Sequence, residues 1–232
     1  MRNVVFSIIL LTNGFALIEN LNAATLQVST GVQSSRFLDS VNLSDDEPLV
    51  SLAVDWTSDS GGYLGGNCST STVSNADSIK SSCDFYAGYF KPLSSNKAVS
   101  VQFTRHEYSR GLGGIWDFHD LAANWHINKK TTFSAIYSKN WLNRSFDSLA
   151  LKGATQVSVS DHINLNLSAT LLALESNDAV DNLTFGKASF SYSLGRWIAE
   201  AGVALSDRDQ ALVLPFDVDD AEFSISFTYR LY

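Results

Sequence analysis

Phe223-Ser224-Ile225-Ser226-Phe227-Thr228-Tyr229-Arg230-Leu231-Tyr232 closes the sequence, and its first nine residues alternate between an apolar side chain and a small or polar one. Successive side chains of a strand point to opposite faces. Phe223, Ile225, Phe227, Tyr229 and Leu231 therefore form one apolar stripe, backed by Ser224, Ser226, Thr228 and Arg230. Such a stripe faces a packed core in a soluble sheet, or lipid in an outer-membrane barrel whose polar face lines a wet interior. Tyr232 falls in the opposite parity, which predicts either that it turns to the interface beyond the strand or that a bulge shifts the register near Arg230.

Working back from this stretch, the same alternation recurs about a dozen times, in segments near the ~9–11 residues that a tilted strand needs to cross a bilayer. The expected strands are Thr25 to Arg36, Leu49 to Thr57, Gly62 to Cys68, Cys83 to Lys91, Lys97 to Ser109, Trp116 to Ile127, Thr131 to Trp141, Ser148 to Val159, Ile163 to Leu174, Leu183 to Leu194, Trp197 to Ser206 and Ala221 to Leu231. Long connections follow the odd strands and short ones the even strands. That is the rhythm of an up-and-down antiparallel barrel of about 12 strands with short periplasmic turns and long extracellular loops. The closing strand is expected to pair with Thr25 to Arg36.

Charge follows the same two ends. The long connections sum to −4, 0, +1, 0, −3 and −4, a total of −10, whereas the short ones total +1. An acidic outer rim would hold divalent cations beside lipopolysaccharide phosphates, although solvated loops carry charge in any protein. Trp56, Trp125 and Trp197 lie beside short connections, and Trp116 and Trp141 beside long ones, as two interfacial girdles require.

With the apolar parity toward lipid, the opposite parity lines the lumen, and the candidate pore-lining residues are Asp55, Gln102, Asp120, Asn124, Lys152, Gln156, Lys187, Glu200 and Arg230. A Lys or Arg facing lipid at the midplane costs about 2–4 kcal/mol, so confinement of charge to one parity is an energetic expectation. Eight strands enclose a filled interior and sixteen or more an aqueous channel. Twelve predicts a narrow lumen, either a mixed-charge constriction that selects by field and size or a closed interior in which those charges pair.

Arg2, the mostly apolar run Val4 to Ile18 and the small-residue stretch Asn22-Ala23-Ala24 follow the order of a secretory signal peptide, with cleavage placed after Ala23. Residues 1–23 are thus read as the signal peptide and 24–232 as one barrel domain. Cys68 and Cys83 are the two cysteines, and in an exported chain they are expected to form a disulfide worth about 3 kcal/mol in the chain-entropy model. They offer too few ligands for a metal site. A formal charge of −8 gives no basic footprint for nucleic acid. Of four histidines, His106, His119, His126 and His162, none has a serine two residues on, where a barrel phospholipase would carry it; Tyr108, Leu121, Asn128 and Asn164 stand there instead. A serine from another strand could still complete such a site. No enzyme activity and no cofactor are expected.

The early strands resemble the TorF family of outer-membrane porins. The residues that carry the likeness are Ser35-Arg36, Ser44-Asp45-Asp46-Glu47-Pro48, the strand Ser51 to Trp56, Ser60-Gly61-Gly62-Tyr63-Leu64-Gly65-Gly66-Asn67 and Asp84-Phe85-Tyr86-Ala87-Gly88-Tyr89. Where the family tends to have Gly after the Arg, this chain has Phe37. The resemblance implies a porin-like role in the bacterial outer membrane. The expected activity is passive diffusion of small hydrophilic solutes, with a non-conducting surface barrel as the alternative. Expected partners are outer-membrane lipid and lipopolysaccharide, and the barrel-assembly machinery through the C-terminal strand.

Overall fold

The computed structural model describes residues 24–34, 37–38, 41–42, 48–73, 79–110, 117–141, 146–175, 180–206 and 221–231. The signal-peptide assignment, Trp116 and Tyr232 lie outside them. The barrel is built from β1 (Thr25–Gln33), β4 (Leu49–Thr57), β5 (Gly62–Val73), β6 (Ile79–Ser94), β7 (Lys97–Arg110), β8 (Phe118–Ile127), β9 (Thr131–Lys139), β10 (Asp147–Ser158), β11 (Ile163–Glu175), β12 (Val180–Leu194), β13 (Trp197–Ser206) and β14 (Ala221–Arg230). These twelve close in the order β1-β14-β13-β12-β11-β10-β9-β8-β7-β6-β5-β4. Each pairs antiparallel with its neighbours, and closure removes the unpaired edges that a sandwich would leave. Two short strands not expected from the sequence, β2 (Phe37–Leu38) and β3 (Val41–Asn42), form a separate hairpin in the first long connection.

The alternation reads out in burial. Phe223, Ile225 and Phe227 are 78%, 54% and 55% exposed on the outside, while Ser224, Ser226, Thr228 and Arg230 are half-buried on the inside. The same split places Val50, Leu52 and Val54 of β4, Val101 and Phe103 of β7, and Leu149 and Leu151 of β10 outward. An apolar exterior of this extent far exceeds the few hundred Å² that a water-facing monomer carries, and it is the surface a bilayer covers. The closing strand keeps an unbroken register, Ser29↔Arg230 to Gln33↔Ser226 against β1 and Trp197↔Tyr229 to Leu205↔Ala221 against β13. No bulge occurs near Arg230, so the parity of the stripe is preserved to its end.

The third and fourth expected strands extend furthest beyond their expected bounds. Gly62 to Cys68 grows to Val73 and Cys83 to Lys91 grows to Ile79–Ser94. Ser69 to Thr72 carry hydroxyls rather than an apolar alternation, so pattern alone misses a stretch whose backbone is satisfied by its partner strand. Register shifts mark this hairpin between Thr70 and Val73, and Pro92, which cannot donate to the ladder, sits at another shift. Cys68 and Cys83 face each other in register on the outward side and are disulfide-bonded, with Cα atoms 4.1 Å apart.

The short connections are tight turns of two to four residues, whereas those at the other end run from four to fifteen. Gly61, with φ 95°, needs its missing side chain, because a Cβ there would lie 2.2 Å from the Phe90 carbonyl oxygen. Asn128 and Lys129 both adopt positive φ, 52° and 55°, which turns β8 back into β9 within three residues.

Candidate functional site: the barrel interior

All nine candidate pore-lining residues occupy inward positions: seven share the parity of their strand's buried residues, and Glu200 and Arg230 lie in the parity opposite the exposed residues of β13 and β14. The strands hold them around the whole circumference, from Asp55 on β4 to Arg230 on β14. Most are engaged with neighbours. The Tyr86 hydroxyl donates to Asp55, and the Tyr63 hydroxyl donates to Gln102 Oε1 at 3.1 Å. Gln102 Nε2 donates in turn to Thr104 Oγ1 at 2.9 Å. Asn124 Nδ2 donates to Ser100 Oγ at 3.0 Å, and Gln156 Nε2 to Asn166 Oδ1 at 3.0 Å. Lys187 Nζ lies 3.2 Å from Glu200 Oε1.

The densest network surrounds a residue that the sequence reading did not place in the lumen. His106 Nδ1 is 2.8 Å from Asp84 Oδ1 and its Nε2 is 2.8 Å from Asp120 Oδ2, so one imidazole ties β6, β7 and β8 together. Ser138 of β9 adds a hydroxyl to Asp120, and the ring stacks on Phe118 with centroids 4.3 Å apart. Asp84↔His106 and Thr104↔Asp120 are register pairs, which is why residues so far apart in sequence meet. The signal was available as parity: Tyr108 and Thr104, with His106 between them, share the phase of Gln102.

Tyrosines and glycines interlock on the same wall. Tyr63 stands opposite Gly88, and Tyr86 opposite Gly65. A Cβ at Gly88 would come within 2.3 Å of the Tyr63 ring, and one at Gly65 within 2.5 Å of the Tyr86 hydroxyl oxygen. Each ring therefore lies across the bare backbone of the next strand. With Phe90, Tyr108 and Phe118 also inward and buried, the β5–β8 wall is filled. Of the inward residues of β13 and β14, Glu200, Gly202, Ala204, Ser224, Ser226 and Arg230 are smaller on average and half-buried. The inward side chains are thus bulkiest on the β5–β8 wall and smaller on the β13–β14 wall.

The two ends of the interior differ as well. Near the long connections of β4 and β11 the inward positions are apolar, and Leu49, Leu172 and Leu174 are 0–2% exposed, whereas buried serines, Ser69, Ser82, Ser138 and Ser148, stand at that end of β5, β6, β9 and β10. Trp141, expected in an outer girdle, is 1% exposed and does not join it. Asn140 before it has φ 53°, which breaks the alternation after the exposed Lys139 and turns the indole inward. Trp56, Trp125 and Trp197, beside short turns, do face outward, and Trp197 packs on Tyr229 with ring centroids 4.7 Å apart.

A serine does reach a histidine from another strand. Ser100 Oγ is 3.0 Å from His126 Nε2, and His126 Nδ1 is 3.0 Å from Thr132 Oγ1. The third member is a hydroxyl rather than the carboxylate that orients a catalytic imidazole, so this group can hold β7, β8 and β9 together but lacks the orienting charge of a triad.

No family model and no curated sequence matches the chain. Among solved structures it is similar to a KdgM porin, at 10% identity over 88% of this chain and 98% of that one, with a TM-score of 0.53. A KdgM porin in complex with disordered oligogalacturonate gives 9% identity, the same coverage and a TM-score of 0.54. The Acinetobacter baumannii outer membrane protein Omp33 is matched at 8% identity over 92% of this chain and 100% of that one, with a TM-score of 0.48. At these identities the likeness to the two KdgM structures is one of fold alone, that of an outer-membrane β-barrel.

Proposed function

We propose that this barrel stands in a bacterial outer membrane and passes small hydrophilic solutes by diffusion. The observation that carries the reading is that, along the middle of the strands, charged and amide groups keep to the inward parity, with the half-buried Lys152, Lys187, Glu200 and Arg230 lining the β10–β14 side. A solute moving along that side meets hydrogen-bonding groups and an ion pair, with no covalent chemistry and no cofactor. Aromatics on the opposite wall narrow the path, so selection is by size and field. The early-strand likeness to TorF porins belongs to the same reading. Single-channel recording on refolded protein tests it: steady current steps are expected, and Lys152→Glu or Lys187→Glu should shift their ion preference toward cations. A silent bilayer containing folded protein overturns it.

The near-complete burial of Leu49, Leu172 and Leu174 at the long-connection end favours a second reading, a non-conducting barrel whose acidic loops bind a partner or ions. Silence in the same recording, with retained binding of divalent cations by intact cells, is the outcome expected of it.

A further inference from the structure

The outer face of β7, β8 and β9 carries a row that the lumen does not use. Arg105, His119 and Lys139 are register neighbours, Arg105↔His119 and His119↔Lys139, and all three point outward and are exposed. Adjacent strands lie about 4.8 Å apart, so three nitrogen-bearing side chains stand side by side over about 10 Å. The outward positions two residues nearer the short turns are Phe103, Leu121, Tyr137 and Leu149, again register neighbours and all exposed. The change from apolar to basic therefore falls between one row and the next, at the long-connection end of the lipid-facing band.

We propose that this row docks the phosphate of an outer-leaflet phosphorylated glycolipid, of the lipid A class, whose acyl chains lie along Phe103, Leu121, Tyr137 and Leu149. The proposal rests on the barrel standing in an outer membrane with its long connections outward. An anionic headgroup on an acyl anchor is the ligand that matches a basic row set directly on an apolar band. Of the neighbouring acids, Asp147 accepts the Tyr137 hydroxyl at 2.8 Å and the Asn140 backbone N–H at 3.2 Å, while Glu107 Oε1 is 2.7 Å from Arg105 Nε, so a phosphate would share that guanidinium with the carboxylate. His119 is braced by stacking on Phe103, with ring centroids 5.4 Å apart.

Charge around the rim points to the same side. The connections Arg110 to Ile115 and Leu142 to Asp147, which adjoin the row, sum to +1 and 0, whereas the first, fifth and sixth long connections sum to −4, −3 and −4. Phosphate can be met directly beside β7–β9; beside the three acidic connections it would need a bridging divalent cation.

Native mass spectrometry of the detergent-purified barrel, with diphosphorylated lipid A and its dephosphorylated counterpart of identical acyl chains, tests the assignment. The wild type should prefer the phosphorylated form by about tenfold, and R105S/H119S/K139S should lose that preference to within about twofold. An unchanged preference in the triple variant overturns the proposal. So does its abolition by millimolar inorganic phosphate, which would mark a general anion site rather than a lipid site. Heat-dependent gel migration verifies folding of the variant, and Lys139→Glu, a single exposed change, carries the same comparison should the triple variant fail to fold. Silence in single-channel recording leaves this proposal standing, so its failure and that of the channel reading are separable.

Discussion

At the scale of single residues, the interior is governed by pairing. Asp120 serves His106 and Ser138 at once, and removing it leaves the imidazole with one carboxylate in a nearly dry wall. Breaking a buried ion-paired contact from one side costs about 3 kcal/mol or more, because the remaining partner stays desolvated. Asp120→Ala should therefore lower unfolding stability in urea-treated lipid vesicles by about that amount, while Asn124→Ala, which loses a neutral hydrogen bond to Ser100, should cost about 1 kcal/mol. Equal effects of the two changes would refute a special role for the His106 clasp. None of the links from His106 could be found by spacing along the chain, since its partners come from β6 and β8.

At the scale of elements, the β5–β6 hairpin is where structure departed furthest from sequence pattern. Apolar alternation ends near Cys68, yet pairing continues to Val73 because hydroxyl-bearing residues serve the ladder as well as apolar ones do. Two features hold this hairpin. Gly88 leaves room for Tyr63, and replacing it by Leu should expel the ring and lower stability by about 1–3 kcal/mol, the usual cost of overpacking. The Cys68–Cys83 bridge joins residues already in register. Cys68→Ser combined with Cys83→Ser is expected to cost about 3 kcal/mol in the chain-entropy model, measurable as an earlier unfolding midpoint that reductant reproduces in the wild type. A midpoint indifferent to reductant would show that ladder pairing alone fixes the hairpin.

For the whole molecule, closure is the main fact. Twelve strands with an apolar exterior predict a protein that resists denaturation by dodecyl sulfate in the cold, migrates faster unboiled than boiled, and fractionates with the outer membrane. Recovery in the soluble periplasmic fraction would sink the membrane reading. Twelve strands also leave little interior to spare, and the aromatics of β5–β8 occupy one side of it. In the proposed channel, passage would follow the smaller side chains of β13 and β14. Charge reversal at Lys187 should thus alter ion preference more than substitution at Asp55, which is 6% exposed and held by Tyr86.

Sequence by itself determined the barrel: strand number, antiparallel order, the two classes of connection, the disulfide partners and the parity of every candidate inward residue. Each of these follows from a two-residue repeat and from the energetic separation of lipid-facing and inward side chains, both of which are written locally in the chain. What fills the interior was decided only by tertiary structure. Tyr63 over Gly88, His106 between Asp84 and Asp120, Trp141 turned inward after Asn140, and Arg105, His119 and Lys139 in one outward row all depend on register between strands. Register sets which residues stand opposite, and no single strand carries that information. The closing stretch shows both halves of the matter: its alternation announced an oily face, and its unbroken pairing with β1 and β13 fixed that face outward.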